Sequence, residues 1–156
     1  MLSDTPQASA RPPKLDGMVD RLPFPLLAER PAELEGIILD FHWDLQRLHG
    51  LHLPSWEVRT ATLRWHLELP FWPSGSRPFQ VTPLEVAADP GTHAEQWRRT
   101  MAADLRHPLD AYVGAGDRLI ILDGVHRLLR AEVECHPVLR VRVIDESRFD
   151  EIAVPA

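Results

Sequence analysis

His126 and Arg127 follow Asp123-Gly124 after one residue, Val125, in the stretch IILDGVHRLLRA, residues 120–131. An arginine can form two parallel hydrogen bonds to a phosphate. An imidazole can donate another, and an aspartate can orient the arginine or accept from a metal-bound water. That chemistry requires the four residues to sit at a corner where a strand meets a helix. Asp-Gly is also a common hairpin turn, and in a hairpin the same residues would be scaffold.

Periodicity separates the two. On a strand, Val125, Arg127 and Leu129 share one face and His126, Leu128 and Arg130 the other, so both faces mix apolar with charged residues. On a helix, Val125, Leu128, Leu129 and Val133 form one stripe, and Arg127, Arg130 and Glu134 fall elsewhere. The helix sorts the residues, and His136-Pro137 ends it. The first turn of such a helix has unpaired N–H groups and the positive end of the helix dipole, where anions bind. Gly124 would let the backbone approach a ligand closely. A phosphate site and a plain structural corner both fit: in the second, Asp123 only caps the helix and Arg127 makes a surface ion pair.

The rest of the chain must position this corner. Pro108–Val113 and Arg118–Leu122 read as two strands joined by the loop GAGD. Val138–Ile144 alternates apolar residues with arginine, as a strand with one wet face does. Thr82, Pro83 and Glu85 form a capping-box pattern for a short helix, and Thr92 is placed to cap a helix running to about Leu105. A short strand is expected near Trp56–Arg59, a short helix near Ala61–Leu67, and a loop over Ser74–Pro78. Leu34, Ile37, Ile38, Phe41, Leu45 and Leu48 have helical spacing, which predicts a helix from Ala32 to Gly50. Six prolines precede Glu33, so residues 1–30 read as a flexible Pro-rich arm.

A length of 156 residues suggests one domain with an arm. The formal charge of −6 weighs against nonspecific nucleic-acid binding, which rests on surplus Lys and Arg. Lys14 is the only lysine, which reflects codon composition rather than function. The single cysteine, Cys135, cannot form a disulfide within the chain and is expected to pack as a small apolar side chain. No apolar run approaches the roughly 18 residues of a membrane span, and the N-terminus lacks a signal-peptide core. The expectation is a cytoplasmic protein with no membrane partner.

Residues 122–131 resemble the Asp-Gly-x-His-Arg motif of the ParB/sulfiredoxin-like superfamily. Val81–Asp145, 65 residues, follows that family's order of helices, Pro-plus-apolar strand, motif strand, helix and closing strand. Trp56–Trp72 would supply the first strand and helix. The resemblance implies an α+β fold: a compact ParB/sulfiredoxin-like domain with a small mixed sheet over residues 56–147. Around it would lie an N-terminal helical extension (31–55) and a C-terminal tail (148–156). It implies a nucleoside triphosphate, ATP or CTP, bound with Mg²⁺. Gly124, His126 and Arg127 would hold phosphate with support from Asp123, and His107 and Pro108 would border the ligand.

Departures from the family narrow the chemistry. Val125 stands where sulfiredoxins carry their catalytic cysteine, which argues against sulfinic-acid repair. Arg130 stands where the family often has a small residue. With Ala156 following soon after the last strand, a stand-alone domain without the partition proteins' helix-turn-helix is expected.

Nucleotide binding is therefore the leading expectation. Phosphate transfer to a small hydroxyl compound is an alternative, with His126 and a carboxylate as catalytic groups; Glu85, Glu95, Asp104 and Asp110 are the carboxylate candidates, and Glu85 leads unless its capping box occupies it. A non-enzymatic regulatory or protein-interaction module comes next, and DNA binding or cleavage last. His42, His49, His52 and His66 cluster early in the chain, but Gly50 and Pro54 interrupt the helix that His49 and His52 would share, and no metal site is expected. Trp65 and Trp72 either pack in the core or flank a ligand cleft.

Overall fold

Strand β6 (Val138–Ile144) lies inside a four-stranded sheet, flanked by β1 (Ser55–Arg59) and β4 (Leu109–Val113), with β5 (Leu119–Asp123) at the far edge. The computed structural model describes residues 20–156. β1 runs antiparallel to β6, β6 parallel to β4, and β4 antiparallel to β5, so the sheet is mixed. A second, two-stranded sheet pairs β2 (Trp72–Ser74) with β3 (Arg77–Val81). The expected loop at Ser74–Pro78 is in fact the tip of this hairpin, turned by Gly75 at φ +59°. The molecule is α+β, with a small mixed sheet.

Strand alternation sends side chains to two separate cores. Leu109, Ala111, Ile121, Val141 and Val143 face one side. There they meet α2 (Thr60–Leu63) with the 3-10 turn Arg64–Glu68, α3 (Pro83–Ala88), α4 (Ala94–Ala102) and α5 (Val125–Val133). Tyr112, Ile120 and Ile144 face the other side. That face is covered by the N-terminal and C-terminal segments, through Leu34, Ile37, Phe41, Leu48, Phe149 and Ile152.

The expected helix over Ala32–Gly50 does not form. Its residues make a 3-10 turn at Ala32–Leu34, reverse at Gly36 (φ +75°), and become helical only in α1 (Leu45–His49), which Asp44 caps through a 3.0 Å bond from the Arg47 N–H. Backbone pairing wins instead. The N–H of His42 donates to Leu22 O, Asp44 to Ile152 O and Val154 to His42 O, at 2.7–2.8 Å. The apolar residues are still buried, but against the sheet rather than along a helix stripe. The same pairing changes two other expectations. Residues 20–30 of the Pro-rich arm are fixed by bridges from Arg21 to Pro155 and Pro23 to Phe41, while residues 1–19 of that arm lie outside the described residues. The segment expected to be a C-terminal tail buries Phe149, Ile152 and Ala153.

Helix α5 ends in a left-handed cap. His136 N–H donates to Ala131 O and Cys135 N–H to Glu132 O, a Schellman pattern with Cys135 at φ +58°. Cys135 is exposed, not packed as a small apolar side chain. Glycine takes this conformation without the clash that a Cβ brings. Cys135→Gly should therefore raise stability by about 0.5–1 kcal/mol, read as a higher urea midpoint. Val133 is exposed too, and Ala131 takes its place in the core. At the start of α4, Thr92 does not cap: its hydroxyl donates to Asp89 Oδ2 at 2.7 Å, and His93 is the N-cap residue.

Candidate functional site

One rung of the sheet carries three charged residues. Ser55 pairs with Arg142, Arg142 with Asp110, and Asp110 with Asp123. The register shifts between Asp110 and Ala111, an irregularity that brings Asp123 level with Asp110 although Ala111 pairs with Ile121. Alternation along β6 puts Val141 and Val143 in the helix-side core and Arg142 on the opposite face.

Each carboxylate has its own arginine. Arg142 Nε donates to Asp110 Oδ1 at 2.6 Å. Its two terminal nitrogens donate to Leu51 O (2.9 Å) and Leu48 O (2.8 Å), which ties the carboxylate to the end of α1. Arg127 donates from Nη2 to Asp123 Oδ2 at 2.9 Å and from Nη1 to the carbonyl of Pro108. His49, the last residue of α1, completes the group: its Nε2 lies 3.0 Å from Asp123 Oδ2 and 3.6 Å from Asp110 Oδ2. Burial raises the Asp110 pKa above the usual carboxylate value, against the opposing pull of Arg142 and His49. His49, Asp104, His107, Pro108, Asp110, Arg127 and Arg142 line a cavity of ≈ 470 Å³, a size suited to a small ligand.

The corner itself is strand β5, Gly124 and helix α5. Gly124 has φ +122°, and a Cβ there would meet Leu109 Cγ at 2.8 Å. Its close approach is thus to the neighbouring strand. Among the described residues no side chain caps α5. Asp123 pairs with Arg127 and His49 instead of with the first-turn N–H groups. The plain capping role for Asp123 is not the one it adopts. Nor is the Asp123–Arg127 pair a loose surface contact, since the side chains are 25% and 15% exposed.

The expected site residues divide. Asp123, Gly124 and Arg127 meet at the corner, and His107 and Pro108 line the cavity. His126 turns away. It stacks on Trp72 at 4.4 Å and shares a 2.8 Å bond with Gln96 Oε1. Burial, with Arg99 nearby, lowers its pKa to about 4. Glu85 is held in the Thr82 capping box by reciprocal bonds of 2.8 and 3.1 Å and does not line the cavity. Glu95 is paired with Arg98 and Arg99. Of the carboxylate candidates, Asp104 and Asp110 reach the cavity. Asp104 is held well below the usual carboxylate range by Arg106.

Trp65 and Trp72 do not flank a cleft: Trp65 packs between His66 and the Arg118 guanidinium, and Trp72 is buried. His66 is a core residue, donating from Nδ1 to Leu63 O and accepting the Ile121 N–H at Nε2. Arg142 is the residue that sequence reasoning missed. Its alternation with Arg140 along β6 gave no sign that one arginine is exposed and the other is tied to Asp110. A comparison with known proteins finds no matching family, no matching curated protein and no matching solved structure. No helix among the described residues is long and apolar enough to cross a membrane.

Proposed function

We propose that the chain is a ParB-like domain that binds a nucleoside triphosphate, ATP or CTP, with Mg²⁺, and holds its phosphates at the Asp123–Arg127 corner. One observation carries this reading: Arg127, in the first turn of α5, lines a cavity large enough for a nucleotide, and among the described residues no side chain caps that turn. The residues fit the ligand's two parts. Free N–H groups and Arg127 suit phosphate oxygens, and the carboxylates of Asp123 and Asp110 suit a divalent cation. The overall charge of −6 leaves DNA a poor partner. A chain with one cysteine and nothing that calls for oxidation fits the cytoplasm.

Phosphate transfer to a small hydroxyl compound is the second reading, and the position of Asp110 favours it. Asp110 is the carboxylate at the cavity whose pKa burial raises, which suits a proton acceptor better than Glu85 in its cap. His126 has no part in that reading, because Trp72 and Gln96 hold it elsewhere.

The test is calorimetric titration with ATP, CTP and GTP in the presence of Mg²⁺. One of them should bind with 1:1 stoichiometry, and Arg127→Ala should weaken it by about 1.5–3 kcal/mol, the scale of a hydrogen bond to a charged group. Absence of heat with all three would end the nucleotide reading. Turnover that depends on an added hydroxyl acceptor would select the second reading, and binding without turnover a regulatory module.

A further inference from the structure

The geometry points to a binding site for a divalent transition-metal ion at His49, Asp110 and Asp123. One ligand atom from each residue lies within 4.8 Å of the others. Metal–ligand bonds of about 2.0–2.2 Å place neighbouring ligand atoms about 2.9–3.6 Å apart. The two His49 Nε2 distances, 3.0 Å to Asp123 Oδ2 and 3.6 Å to Asp110 Oδ2, fall in that range.

Asp110 supplies an independent indication. Its side chain is 3% exposed, and Arg142 occupies Oδ1. Among the described residues no hydrogen bond reaches Oδ2, the oxygen 3.6 Å from His49 Nε2. An oxygen held in place by the Arg142 bond to its twin and left without a protein donor is a ready ligand for a cation. Arg142 also holds Leu48 O and Leu51 O, the residues on either side of the His49–Gly50 step, so one guanidinium fixes two of the three ligands relative to each other. Arg127 fixes the third. His49 is half exposed, which gives the ion access from solvent.

One imidazole and two carboxylates suit Mn²⁺ or Zn²⁺, whereas Mg²⁺ favours oxygen ligands alone. Three protein ligands leave positions open toward the cavity. Only the role of those positions, meeting a phosphate oxygen, rests on the nucleotide reading. Metal binding itself is measured without nucleotide.

The protein, dialysed against EDTA and then buffer, is titrated calorimetrically with MnCl₂, ZnCl₂ and MgCl₂. Mn²⁺ or Zn²⁺ should bind at one site, more tightly than Mg²⁺. Co²⁺ should give a visible d–d band that Zn²⁺ abolishes. Asp110→Asn should weaken binding by about 100-fold or more, beyond the range for outer partners of a metal site. His49→Ala, at a half-exposed position that a fold tolerates, should do the same. No stoichiometric binding of Mn²⁺ or Zn²⁺, or binding that His49→Ala leaves unchanged, overturns the proposal. Failure here with nucleotide still bound would leave the phosphate corner standing, and the reverse result would leave the metal site standing.

Discussion

Arg142→Ala should destabilise the protein by about 3–5 kcal/mol, the cost of leaving one partner of a buried ion pair uncompensated. Asp110 is 2% exposed, and Arg142 provides the hydrogen bond to its Oδ1. Removing the guanidinium strands that carboxylate in the sheet. It also removes the guanidinium bonds to the carbonyls of Leu48 and Leu51, so α1 loses that tie to the sheet. Arg140, two residues earlier on the same strand, is exposed and serves as the control. Arg140→Ala should change stability by no more than about 0.5 kcal/mol. Urea unfolding followed by circular dichroism reads both. Similar midpoints for the two variants would show that the Asp110–Arg142 pair does not hold the site together.

Acid should unfold the protein through His66. Its ring is fully buried, and burial lowers its pKa from 6.5 to about 4, with Arg118 adding to the effect. The neutral Nδ1–H tautomer satisfies both neighbours, donating to Leu63 O and accepting from Ile121 N–H. Protonation would turn Nε2 into a donor facing another donor. The unfolded chain takes up this proton below about pH 6.5, whereas the folded chain resists until about pH 4. The contribution of His66 is therefore full above pH 6.5, falls between 6.5 and about 4, and changes no further below. The loss from His66 amounts to about 3 kcal/mol. His126, lowered to about 4 mainly by burial, adds a loss in the same window. Unfolding free energies at pH 7.5, 5.5 and 4.5 should decline steadily, and His66→Gln should flatten the decline by about half, as removal of one of two comparable groups requires. An unchanged slope in that variant would assign the acid sensitivity elsewhere.

The corner at Asp123–Arg127 was legible in the sequence because it is local. The periodicity of Val125, Leu128 and Leu129 distinguishes helix from strand within a few residues, and a glycine at φ +122° marks the turn. The capping box of Thr82 and Glu85 was legible for the same reason, and it explains why Glu85 does not reach the cavity. The charged rung was not legible. It depends on the register of β6 beside β4 and on the irregularity at Asp110, neither of which leaves a local pattern. His49 reaches Asp123 across 74 positions of sequence.

The segment that brings His49 there was itself read as a long helix. Apolar residues at helical spacing serve equally well in a chain that folds back over a sheet, and non-local backbone bonds from Leu22 and Ile152 decided between the two. His126 shows the opposite error. Its place in the motif suggested the ligand, but Trp72 offers its ring a closer partner, 13° from coplanar.

In the proposed function, anions bind at the first turn of α5. Amide chemical shifts measured by NMR during titration with ATP, or with CTP, and Mg²⁺ test it directly. The largest shifts should fall on the N–H groups of Gly124, Val125, His126 and Arg127. Saturating nucleotide that leaves those four amides unmoved, while others shift or none do, would contradict it.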